Sequence, residues 1–213
     1  MQFLSTLIKL LFPPTVLSPN SHELQLTATK KPLTDDQIME LLRSEHSFER
    51  GFRLLMTQYS ERLYWHIRRM VQVHDDANDV LQNTFIKVYR GISKFEGKSK
   101  LYTWLYRIAT NEVLTHLQSQ ARHASSSLDD VDNLLYNRLK ADEWFDGDAV
   151  QAKLVLAIAE LPDKQKQVFN LRYYDEMPYE EMSQLLNTSI GALKASFHHA
   201  TKKIEAAFLN YEP

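Results

Sequence analysis

The chain has 213 residues, 44% of them hydrophobic, enough for one large or two small cores. Five glycines and seven prolines are too few for an all-β fold built on many tight turns. The absence of cysteine excludes disulfides, thiolate metal sites and cysteine nucleophiles and fits a reducing cytoplasm, while a net charge of −2 argues against strong binding to bare DNA.

Residues 1–33 read as an extension. They open on MQFLSTLIKLLF, an apolar run that carries Lys9 and is ended by Pro13 and Pro14. The run is too short to span a bilayer and lacks the basic start and small-residue cleavage site of a signal peptide. A loose or surface-docked leader is the reading. Thr34-Asp35-Asp36 then predicts a helix start, with Ile38, Leu41 and Leu42 on one face. A longer helix is predicted over about Ser47–Val71, with Phe48, Phe52, Leu55, Met56, Tyr59, Leu63, Tyr64 and Ile67 as its buried stripe. Arg50, Arg53, Arg62, Arg68 and Arg69 fall mostly off that stripe and read as a solvated face.

The next stretch, DANDVLQNTFIKVYRGISKFEGKSKLYTWLYRIATNEVLTHLQSQAR, predicts two helices joined by a loop at 91–100. Asp76 and Asp79 suit a helix N-terminus, and Val80, Leu81, Phe85, Val88 and Tyr89 recur at helical spacing. The loop carries Gly91, Gly97, Lys94, Lys98 and Lys100 with one acid, Glu96. Ser99 is placed to cap the second helix, and Tyr102, Trp104, Tyr106 and Arg107 follow. Lysines on a flexible loop beside aromatic rings suit single-stranded nucleic acid, since cations meet phosphates and rings stack on unpaired bases. The plain alternative is that these rings are core.

Residues 47–122 hold 12 Lys/Arg against 7 Asp/Glu, whereas residues 123–148 hold 2 against 7. The latter stretch, rich in serine and acid, reads as a linker with one transient turn around Leu134–Leu139. A C-terminal domain follows from residue 148. Val150, Leu154, Ile158 and Leu161 mark one helix, and Pro162 starts the next, with Val168, Phe169, Leu171 and Tyr174. Pro178 starts a third, with Met182, Leu185 and Leu186 inward. Asn187 suits a left-handed turn and Ser189 a helix cap, so a helix-turn-helix is predicted. In its last helix Ile190, Leu193, Phe197, Ala200, Ile204 and Phe208 share one seam. The opposite face is then Ala192, Ala195, His198, His199, Lys202 and Lys203, with Lys194 and Ser196 at its margins. Small residues allow close approach to DNA, lysines meet phosphates, and Ser196 and His199 can reach base edges.

Three of these segments resemble one family. FEGKSKLYTWLYRIATN is similar to the promoter-melting region of the extracytoplasmic-function (ECF) group of sigma-70 family RNA polymerase sigma factors. DANDVLQNTF resembles the helix by which that family docks on RNA polymerase, and LPDKQKQVF through Phe208 resembles its second DNA-binding region. The resemblance implies an all-α fold of two small domains, residues 34–122 and 148–213, joined by an acidic linker at 123–147 that lies along polymerase channels. It implies docking through Asp79, Gln82 and Asn83. It implies capture of a flipped-out base by Phe95, Glu96, Gly97, Lys98, Ser99 and Lys100 with Asn111, near Trp104 and Tyr106. Core RNA polymerase, promoter DNA and an anti-sigma factor, often membrane-bound, are the implied partners, in the cytoplasm. Departures occur at Ser196, where an arginine is common, near His199 and Thr201, where the family has further arginines, at Gln118-Ser119-Gln120, where a basic cluster is usual, and at Asn83, which is commonly Glu.

Catalysis has no support in the sequence. Neither H-x-x-x-H nor H-E-x-x-H occurs, adjacent His198 and His199 point about 100° apart on a helix, and no phosphate-binding glycine loop or G-x-S-x-G is present. No metal, cofactor or small-molecule substrate is expected. The rival readings are a self-sufficient helix-turn-helix regulator, which leaves the lysine loop, Trp104 and Asn111 unexplained, and a module that only captures a protein partner.

Overall fold

Thr34 opens the first helix through a capping box. Its hydroxyl accepts from the Gln37 N–H while the Gln37 side chain accepts from the Thr34 N–H. The structure is a computed structural model and describes residues 33–124 and 149–209. The predicted leader up to residue 32, and the predicted linker from residue 125 with its turn around Leu134–Leu139, lie outside the described residues. Helices α1 (Asp35–Arg43), α2 (Phe48–Val71), α3 (His74–Gly91) and α4 (Leu101–Ala124) are followed by α5 (Ala149–Ala159), α6 (Asp163–Tyr173), α7 (Tyr179–Leu186) and α8 (Ile190–Leu209). A 3-10 turn, Ile92–Lys94, follows α3. The described residues contain no strand, so the all-α expectation holds for them. They fall into two compact units, residues 33–124 with 180–188, and residues 149–179 with 189–209.

In the first unit α2 is the central rod, packed against α1, α3 and α4. Leu55, Tyr59, Leu63 and Ile67 of the predicted stripe are buried, together with Val80 and Val88 of α3 and Leu105, Ala109 and Val113 of α4. Burial of such a stripe, at about 25 cal/mol per Å² of apolar surface, is what holds a helix of middling propensity in place. Two polar groups are built into this core. His66 is fully buried and its Nε2 lies 3.0 Å from the Thr110 hydroxyl, and the Tyr59 hydroxyl donates to Asp35. Arg68 departs from the solvated-face expectation. It is only 9% exposed, it bonds with Tyr64, and burial pulls its guanidinium below the ordinary arginine range.

Helix α1 reaches α2 closely because residue 51 is glycine. A Cβ there would lie 2.9 Å from the Leu41 Cβ and 3.1 Å from the Leu42 N. Gly51→Ala is expected to lose about 1–3 kcal/mol of unfolding free energy by overpacking, although alanine is the better helix former. Urea unfolding of the variant would measure it, and a gain in stability would show that α1 yields freely.

The second unit closes α5, α6 and α8 around Phe169. Leu154, Ala157, Ile158 and Leu161 meet Ala200 and Ile204, with Phe197 and Phe208 partly buried beside them. These are the seams predicted from spacing. Asn187 adopts the expected left-handed turn (φ 49°), and the Ser189 hydroxyl caps α8 by accepting from the Ala192 N–H at 3.3 Å. Glu176 also sits at positive φ, 51°, in the turn before Pro178.

Candidate nucleic-acid interface

The loop between α3 and α4 is pinned at one end and open at the other. Ile92 is buried and anchors the 3-10 turn. The Phe95 ring packs against the Trp104 ring with centroids 5.2 Å apart. A Cβ on Gly91 would stand 3.4 Å from the same indole, so Trp104 braces the loop from below. Gly97 holds φ 74° with open space around it, a conformation that a side chain would strain. Glu96, Lys98 and Lys100 are exposed, and Glu96 pairs with Lys98. Ser99 is half-buried and is not the predicted helix cap: α4 begins at Leu101, and the hydroxyl donates to the Lys100 carbonyl.

Along α4, Lys100, Trp104, Arg107 and Asn111 recur at spacings that bring them to one side of the helix. Asn111 is exposed and Trp104 and Arg107 are half-exposed. Tyr106 is corrected by the structure. It is 5% exposed and packs on His66 (centroids 4.8 Å) and Tyr102 (5.9 Å), because its register points into the bundle. It packs beneath the face, inside the bundle. Arg107 replaces it on the outer side, a position that the spacing from Trp104 and Asn111 could have revealed. Within the same unit Lys100 lies 2.8 Å from the Glu181 carboxylate, and Arg107 donates to the Gln184 carbonyl at 2.6 Å.

On α3 the predicted docking trio Asp79, Gln82 and Asn83 is exposed. Two apolar side chains extend that side, Ile86 at 41% exposure and Tyr89 at 52%. Tyr89 recurs at helical spacing with the buried Val80 and Val88. It stands at the rim, meeting Phe48 and Phe52 edge to face at 5.3 and 5.1 Å.

Helix α8 presents the face its periodicity predicts. Ala192, Lys194, Ala195, His198, His199, Lys202 and Lys203 are exposed, Ser196 is half-exposed, and Leu193, Ala200 and Ile204 are buried. The His198 and His199 rings sit edge to face at 5.9 Å. Lys202 spends its charge on Glu205 at 2.8 Å and holds that carboxyl below its usual value. Lys194 and Lys203 meet no carboxylate among the described residues.

An exposed helix with three lysines, its opposite seam buried, follows a short left-handed turn. Comparison with known proteins gives this arrangement a family. Residues 55–123 match the family described as Sigma-70 region 2, and residues 151–204 match Sigma-70, region 4. The ECF RNA polymerase sigma-E factor of Escherichia coli (strain K12) is 30% identical over 188 residues, covering 81% of this chain and 93% of its own length. The chain belongs to the ECF sigma factors of the sigma-70 family. The RNA polymerase sigma-H factor of Pseudomonas aeruginosa is 29% identical over 184 residues, covering 82% of this sigma factor and 95% of itself. Two solved structures share the fold. The sigma factor RpoE of Bartonella quintana, in complex with the anti-sigma factor NepR, has a TM-score of 0.59 at 18% identity, over 76% of this chain and 98% of that one. CnrH, in complex with the cytosolic domain of CnrY, has a TM-score of 0.62 at 19% identity, over 84% and 99%. Family membership makes this sigma factor an initiation subunit of RNA polymerase, with one promoter-binding region in each matched segment.

Proposed function

We propose that the three faces divide the work of initiation. The α3 face, Asp79, Gln82 and Asn83 extended by Ile86, docks on core RNA polymerase. The loop Phe95–Lys100, with Trp104, Arg107 and Asn111, holds an unpaired base of the melted strand. Unstacking a base costs a few kcal/mol, which stacking and charge-assisted hydrogen bonds at this face offset. The exposed side of α8 reads the upstream element in the major groove, with Ala192 and Ala195 allowing approach, Lys194, Lys202 and Lys203 on phosphates, and Ser196, His198 and His199 toward the bases. The observation that carries this is the pair of faces, one beside a loop turned by Gly97 at positive φ and one on a helix whose other side buries Leu193, Ala200 and Ile204.

This sigma factor would act in the cytoplasm, with no catalytic group of its own, where polymerase and promoter are found. Among the described residues no helix is long and apolar enough to cross a membrane. An anti-sigma factor is proposed as the controlling partner, because both solved relatives above were captured with a bound partner, NepR called an anti-sigma factor and CnrY named only as CnrH's partner.

The test is run-off transcription with purified core polymerase and a promoter library, with and without the protein. Transcripts that appear only on its addition, enriched for a two-element promoter, are the expected result. Binding to duplex DNA without polymerase, and no transcripts, would favour an independent regulator.

A further inference from the structure

Tyr179 is the first residue of α7, directly after Pro178, and its half-buried ring collects two cations from different helices. Arg172, in the last turn of α6, places its guanidinium carbon 5.2 Å from the ring centre. Lys194, at the start of α8, places its ammonium 5.7 Å from the same centre. Both distances are within the reach of cation–ring attraction. Arg172 is further fixed by donating to the Met177 carbonyl at 3.3 Å, which ties it to the turn before α7. Neither cation meets a carboxylate among the described residues. Two cations held against one ring, neither with an acid partner among the described residues, leave each charge available to an anion. An exposed lysine otherwise spreads over many rotamers, and ordering it on contact with DNA weakens the contact.

We propose that Tyr179 is a positioning residue for upstream-element binding, its ring, which Arg172 also approaches, holding the Lys194 ammonium where a DNA phosphate is met. The inference rests on the assignment of the α8 face in the preceding section. The ring carries the role, and the hydroxyl does not. Tyr179→Phe therefore keeps the function, whereas Tyr179→Leu frees Lys194.

The experiment measures affinity of reconstituted holoenzyme for a promoter fragment as a function of salt. Tyr179→Leu is expected to weaken binding by about threefold and to flatten the salt dependence. Lys194→Gln lowers the log–log salt slope by about 0.9, and adding Tyr179→Leu to it changes little more, since the ring acts through that lysine. Tyr179→Phe binds like the unaltered protein. Because leucine could loosen α7, fluorinated phenylalanines are placed at 179 as a second series. They keep the shape and withdraw the ring's negative face, and affinity is expected to fall step by step with fluorine number. Losses that multiply in the double variant, a flat fluorine series, or a Tyr179→Phe defect as large as that of leucine would each overturn the role. Holoenzyme with the unaltered chain that fails to bind any promoter would instead overturn the reading of the α8 face itself.

Discussion

Phe169→Ala is expected to remove about 3–5 kcal/mol from the stability of the second unit, the range for truncating a buried phenylalanine. The ring is 0% exposed and is the hub of its core. It stacks on Tyr173 at 5.2 Å and on Phe197 at 5.8 Å, and meets Tyr174 edge-on at 6.3 Å. Those partners come from α6 itself and from α8, so the cavity opens between the two helices that must stay in register. Partial burial pushes the pKa of the Tyr173 hydroxyl up to about 12. A domain this small has about 5–15 kcal/mol in total, so the loss is a large share of what holds it folded. Phe197 lies between Ser196 and His198, and a collapse beneath it would tilt the exposed face of α8. Hydrogen exchange on the full chain would measure the effect, with amides of α2 as internal reference. Protection across α6 and α8 should fall by about two to four orders of magnitude, on the order of the free energy lost, and promoter-dependent transcription should fall with it. A loss under about 1 kcal/mol would mean that the three neighbouring rings close the space and Phe169 is no hub.

What the sequence made legible was what depends on near neighbours. The helix start at Thr34-Asp35-Asp36, the left-handed Asn187, the Ser189 cap and the α8 seam are all set within one or two turns of chain, and each is found in the structure. What was misread depends on who arrives from elsewhere. Tyr106 belongs to the core because His66 faces it from α2, and no spacing within α4 announces a histidine 40 residues away. Arg68 is buried where other helices pack on α2. Ser99 lost its cap because α4 starts one residue later than its position required. Arg172 and Tyr179 were passed over for the same reason, since their partnership with Lys194 exists only once three helices meet.

Lys194→Ala combined with Lys203→Ala is expected to lower the salt slope of holoenzyme–promoter binding by about 1.8, at about 0.9 per phosphate neutralised. Taken from 1 M salt, where this term vanishes, to about 0.1 M, the change corresponds to roughly a 60-fold loss of affinity. Both side chains are exposed on the face opposite Leu193, Ala200 and Ile204, and neither has an acid partner among the described residues. Each therefore arrives at a phosphate with its whole charge and displaces a whole counterion. Lys202 lies on the same face but is paired with Glu205 at 2.8 Å. Its contribution to the slope should be less than half that of either neighbour, because the pair is already close to neutral. Glu205→Gln should restore it, raising affinity and steepening the slope while leaving the sequence preference unchanged. Phosphate contacts position the helix without reading bases, so the Lys194/Lys203 double variant should weaken all promoters in the library about equally. An unchanged slope in that variant would remove the α8 face from the DNA. A loss confined to a few promoter sequences would make these lysines readers of bases instead.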